Sequence, residues 1–149
     1  GVGKTKIIDR FDKDKFTTYS RSHGDFISKE IKFSEKNIIL KIWHHIIFPF
    51  GFSGDDSSQF RGTDIFIVIF DLTNIKSFLH IENWIEEIEN QSGQTPLKSP
   101  IILVGAKADV IDYRVVSNKK ILEISKKIGA PYIECSAKTG KNIDLIFET

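Results

Sequence analysis

The chain begins Gly1-Val2-Gly3-Lys4-Thr5, and few five-residue strings restrict a fold as tightly. It is the second half of the pattern G-x-x-x-x-G-K-[ST], a loop that joins a strand to a helix and cradles phosphate. Gly3 lets the backbone turn its N–H groups toward an anion in a curve that no side chain tolerates. Lys4 would reach the β- and γ-phosphates as a point charge, and the Thr5 hydroxyl is placed to ligate Mg²⁺. The positive end of the following helix adds to the same attraction. Alone, the string also fits a glycine-rich lead into an ordinary helix with Lys4 merely exposed. The pattern's first glycine would lie upstream of Gly1 and the chain has no methionine, so it reads as a fragment of a longer protein, lacking the strand that feeds this loop.

Downstream, helical and strand periods alternate. Ile7, Ile8 and Phe11 repeat at helical spacing. Phe26–Phe33 and Asn37–Trp43 alternate as strands and lie close enough across Ser34-Glu35-Lys36 to form an antiparallel pair. Ile65–Phe70 is apolar throughout, as in a strand buried on both faces. Asn74 then caps a helix with Phe78, Ile81, Ile85 and Ile88 as its buried stripe. Pro100 precedes a strand at Ile101–Val104, Ser117 caps a helix that ends at Gly129, Tyr132–Cys135 is a short strand, and Asn142–Glu148 starts a last helix. Strands interleaved with crossover helices predict an α/β fold, a mostly parallel sheet with helices on both faces, in one domain over residues 1–149.

Composition removes several alternatives. An apolar content of 40% and a charged content of 28% fit a globular chain, neither disordered nor membrane-embedded. A net charge of +1 gives no electrostatic case for nucleic-acid binding. One cysteine, Cys135, excludes an internal disulfide and suits a reducing compartment. It falls inside a strand with no catalytic His partner suggested, so it reads as a small core residue. Trp84 reads as helix packing, and Lys119-Lys120 and Lys126-Lys127 as a solvated helix face. His44 and His45 are adjacent on a strand end and so point to opposite faces, which argues against a metal pair.

Two segments carry chemistry at strand ends, where ligands bind in open α/β sheets. Val104-Gly105-Ala106-Lys107-Ala108-Asp109 follows one buried strand and Glu134-Cys135-Ser136-Ala137-Lys138 follows the next. The Asp109 carboxylate can accept hydrogen bonds from a guanine's ring N–H and exocyclic amine, a donor pair that adenine lacks.

With these residues in view, the chain resembles a small GTPase of the Ras superfamily, and within it the Rab family, over nearly its whole length. Gly1–Thr5 is similar to the end of the phosphate loop, and Ile39-Leu40-Lys41-Ile42-Trp43 to the strand leading into switch II. Gln59-Phe60-Arg61-Gly62-Thr63 and Val68-Ile69-Phe70-Asp71-Leu72-Thr73 resemble the segments that follow, and Asp109 and Ser136-Ala137-Lys138 the guanine-recognition motifs. The resemblance implies GTP/GDP and Mg²⁺ as cofactors, with Gly1, Val2, Gly3, Lys4, Thr5, Ala106, Lys107, Asp109, Ser136, Ala137 and Lys138 binding nucleotide and Thr5 the metal. It implies a nucleotide switch in vesicle trafficking, monomeric, on the cytosolic face of intracellular membranes. Rab-type effectors and regulators would be its partners, and a prenylated tail not present in this chain its membrane anchor.

Three departures qualify this. After Trp43 the family carries Asp-Thr-Ala-Gly-Gln, where the Asp approaches Mg²⁺, the Gly amide senses the γ-phosphate and the Gln orients water. Here those positions hold His44, His45, Ile46, Ile47 and Phe48, so no catalytic residue is assigned. The aperiodic segment 44–56 is either a diverged loop or sequence foreign to the domain, and Asp55-Asp56 within it reads as solvated. Ala106 stands where the guanine motif has Asn. In switch I, Asp25-Phe26 matches but Thr17–His23 is short, leaving Ser20, Arg21 or Ser22 for the family's Mg²⁺-ligating threonine. A pseudo-GTPase that keeps the fold as an interaction scaffold, with weak or no nucleotide binding, is the alternative.

Overall fold

The structure, a computed structural model, describes residues 1–14, 26–43 and 60–149. Ser20, Arg21, Ser22, Asp25, His44, His45, Ile46, Ile47, Phe48, Asp55, Asp56 and Gln59 lie outside the described residues. In chain order come α1 (Lys4–Lys13), β1 (Ile27–Phe33), β2 (Lys36–Ile42), β3 (Phe66–Asp71), α2 (Ile75–Leu79) and α3 (Ile81–Ser92). Then follow β4 (Ile101–Ala106), a 3₁₀ turn (Ile111–Tyr113), α4 (Asn118–Ile128), β5 (Tyr132–Glu134) and α5 (Ile143–Glu148).

Strands β3, β4 and β5 form a parallel sheet in that order, with Phe66 opposite Ile101 and Val104 opposite Ile133. Every residue of β4 is buried, which is why its apolar run shows no alternation. The pleat nonetheless sorts its side chains. Ile101 and Leu103 join Phe66, Val68, Phe70, Leu72, Phe78, Ile81 and Ile121 in a core beneath α2, α3 and α4. Ile102, Val104 and Ala106 join Ile7, Phe11, Cys135, Ile143 and Ile146 in a second core beneath α1 and α5. Helices therefore cover both faces, as the sequence predicts. Trp84 packs at the rim of the first core, and Lys119, Lys120, Lys126 and Lys127 are exposed.

Both expected caps are present. Asn74 Oδ1 accepts from the Lys76 N–H at 3.0 Å, and Ser117 Oγ from the Lys120 N–H at 3.5 Å. The helix after Asn74, expected as one, is two. Ser77 Oγ, bonded to the Asn74 carbonyl and the Asp71 backbone, ties α2 to the end of β3, whereas α3 follows the sheet face. The two meet at His80, and the apolar stripe survives the break, with Phe78 and Ile81 both buried.

The antiparallel pair also forms, with Ile27 opposite Ile42 and Ile31 opposite Ile38. Its turn is two residues, Ser34 and Glu35, both at positive φ (45° and 66°), the backbone sign that matches strand twist. Among the described residues β2 pairs only with β1 and β3 only with β4. The hairpin meets the α1–α5 core through Ile27, Ile31, Leu40 and Ile42, and Lys29 Nζ donates to the Phe11 carbonyl and lies over the Phe11 ring. Between β2 and β3 lies a cavity of about 750 Å³ lined by Leu40, Ile42, Ile67, Ile69, Ile7 and Ile146 among others. A strand would have to lie in this gap for the two sheets to become one.

Candidate functional site

The carboxyl ends of β3, β4 and β5 converge on the segments singled out in the sequence. At β4 the strand ends on Ala106, which is buried and in register with Asp71 of β3. The Leu72 N–H donates to the Ala106 carbonyl at 3.1 Å and locks that pairing. The chain then reverses through Lys107, whose φ is 64°. This left-handed step carries the Lys107 side chain back over the strand ends, where its Nζ lies 2.5 Å from Asp71 Oδ2. Asp71 Oδ1 accepts from the Thr73 backbone N–H at 2.8 Å and from its hydroxyl at 2.7 Å. Burial alone would raise the Asp71 carboxyl, but the bonds from Lys107 and Thr73 together hold it below its usual value.

Two residues on, Asp109 reaches the β5 loop. Its Oδ1 accepts from Ser136 Oγ at 2.6 Å, and the Ala108 N–H donates to the Cys135 carbonyl at 3.0 Å. Ser136 is fully buried and organises its own loop. Its Oγ accepts from the Thr139 N–H at 3.1 Å and its carbonyl from the Gly140 N–H at 2.9 Å. Ala137 is half-buried and Lys138 exposed. Cys135 has no exposed surface, and burial, with Asp109 adding to it, pushes its thiol up to about 12, which fits the core role read from the sequence.

The opening pentapeptide meets this region through α1. Gly3 takes φ 102° and ψ 14° at the helix N-cap, a conformation that favours glycine, and accepts from the Ile7 N–H at 3.1 Å. Gly1 is exposed, and Val2, Lys4 and Thr5 are half-buried. Burial lowers the Lys4 ammonium from its ordinary value. Ile7 and Phe11, on the next turns, share one core with Ala106 and Ala137. Asp71 was not singled out as a site residue by sequence reasoning. The signal that could have found it is its place at the end of a buried strand beside the guanine motif.

The donor set suits a nucleotide at both ends. The second Asp109 carboxylate oxygen has no protein partner among the described residues, so a base can still be bound there. A glycine at positive φ opening a helix, followed by a half-buried ammonium, suits phosphate. Among the described residues no three His, Cys, Asp or Glu side chains are grouped for a metal.

The chain is similar to known proteins over nearly its whole length. A sequence model of the Ras family matches residues 1–149. The chain is 34% identical over 160 aligned positions to the Ras-related protein RABG3f of Arabidopsis thaliana, covering 99% of this chain and 74% of that one. It is 33% identical over 161 positions to the Ras-related protein Rab7 of Pisum sativum, covering 100% of this chain and 75% of the relative. The Rab7 of Cenchrus ciliaris is 34% identical, with 99% and 74% covered.

Proposed function

Since the chain belongs to the Ras family, and within it is a Rab-type small GTPase, we infer that it binds GDP and GTP across the carboxyl ends of β3, β4 and β5 and acts as a nucleotide switch in vesicle trafficking. The observation that carries this is the Asp109–Ser136 hydrogen bond, which draws the two base-recognition segments together with a carboxylate oxygen still to offer. In this reading Asp109 selects guanine, Lys107 lies along the base plane, and Ala137 and Lys138 border it. Gly1–Thr5 face the phosphates. Mg²⁺, held by Thr5 and phosphate oxygens, would neutralise charge that develops on the γ-phosphate. Effectors and regulators of Rab type are the partners this reading assigns. No helix among the described residues is long and apolar enough to cross a membrane.

Hydrolysis is expected to be slow, because Phe48 cannot orient water and Ile47 lacks glycine's freedom. Titration with fluorescent GDP tests the binding: saturation that GTP competes away and ATP does not is expected. No binding up to millimolar GDP by a protein whose circular dichroism shows it folded would overturn the reading in favour of a scaffold. In the same protein, phosphate release at the rate of ordinary small GTPases would overturn the claim of slow turnover.

Restoring the family's side chain should strengthen binding. Ala106→Asn places an amide at the end of β4, opposite Asp71. The gain expected is about 1–3 kcal/mol, a Kd lower by about 5–150-fold. Calorimetry reads it directly, and an unchanged Kd would mean that the base does not sit over Ala106.

A further inference from the structure

Behind the base-recognition loops lies a polar cluster that the reading above does not use. Arg114, at the end of the segment that carries Asp109, meets Glu134, the last residue of β5. The contact is a fork: Nη1 lies 3.0 Å from Oε2 and Nη2 2.6 Å from Oε1. Such two-pronged pairs fix orientation as well as distance. The same guanidinium donates from Nε to the Val116 carbonyl at 3.0 Å and from Nη2 to Asn118 Oδ1. Tyr132 Oη donates to Glu134 Oε1 at 2.8 Å. Both charged side chains are about three-quarters shielded (28% and 24% exposed), so water screens the pair less than one on the open surface.

Glu134 also works through its backbone. Its carbonyl accepts from Asn142 Nδ2 at 2.8 Å, and Asn142 sits at φ 56° where the Ser136 loop closes into α5. One residue thus grips both loops, the Asp109 segment through its carboxylate and the Ser136 segment through its carbonyl. Gly105 belongs to the same arrangement. A Cβ there would stand 2.5 Å from Tyr132 Oη, so glycine is what leaves the hydroxyl room to reach Glu134. Arg114 holds the Glu134 carboxyl below its usual range, as expected of a formed pair.

We propose that Arg114 and Glu134 are a positioning pair for base recognition, holding the Asp109 and Ser136 loops as one rigid unit so that the carboxylate and the Ser136-Ala137-Lys138 backbone meet the base in fixed geometry. The proposal rests on the guanine-binding reading, and its test separates the two. Glu134→Gln keeps the shape and gives up the charge. Expected are roughly tenfold faster dissociation of fluorescent GDP and a smaller preference for GDP over inosine diphosphate, which lacks the exocyclic amine. In nucleotide-free protein, faster hydrogen exchange is expected at the Ala108 and Thr139 amides together. Arg114→Lys, which keeps the charge without the fork, should fall between and serves if Glu134→Gln does not fold. A merely structural pair would lower the melting temperature and speed loss of both nucleotides equally, and an unchanged GDP preference overturns the proposal. If the wild type binds no guanine nucleotide, it is the function that fails. The exchange readout still judges the pair, since unaltered protection at Ala108 and Thr139 in the variant would sink it.

Discussion

Truncating Phe70 to alanine should cost about 3–5 kcal/mol of folding stability, the largest loss expected from any single side chain described above. Phe70 has no exposed surface and stands near the carboxyl end of β3. Its ring meets Phe78 edge-on at 5.3 Å and stacks on Tyr132 at 6.2 Å, so it joins α2 and β5 through β3. The surrounding residues belong to three strands and three helices and cannot all collapse into the void. Against a total stability of about 5–15 kcal/mol, such a loss removes much of the margin. Urea unfolding should show a lower midpoint at unchanged slope. A loss below about 1 kcal/mol would mean that this core is not the one that closes the sheet. The effect reaches the site, because Asp71 is the next residue and anchors Lys107.

Asp109→Ala should abolish base selectivity. On the proposed reading two charge-assisted hydrogen bonds to guanine disappear, each worth about 1.5–3 kcal/mol, so GDP binding should weaken by about 100-fold or more. Ser136 Oγ, in a fully buried residue, also loses its acceptor, although the Thr139 N–H still donates to it. Paired titrations with GDP and ADP decide the matter. The two affinities should converge in the variant, and a retained preference for GDP would remove Asp109 from the base site.

Much of this was legible in the sequence where local rules act alone. The helix stripe at Ile81, Ile85 and Ile88, the caps at Asn74 and Ser117 and the uninterrupted strand at Ile101–Val104 depend on near neighbours, and all appear. The break at His80 was not legible, because it comes from Ser77 bonding back to Asp71 across the end of a strand. Strand order was not legible either, since it is a long-range property with no local signature. At the site, motif spacing pointed to Lys107, Asp109 and Ser136. Asp71, Arg114 and Glu134 escaped because charged residues near strand ends are common, and only the fold shows which ones meet.

The gap between β2 and β3 bears on how the chain behaves among its copies. Strand edges are templates on which other chains can pair and aggregate. Here one edge of each sheet borders the same hollow, and among the described residues neither edge is paired there. The spacing of the two edges is set by the contacts of the hairpin with α1 and α5, the packing of Ile27, Ile31, Leu40 and Ile42 and the bond from Lys29 Nζ to the Phe11 carbonyl. Colloidal stability at high concentration is thereby tied to a few side chains of the hairpin. Loosening them would free both borders at once.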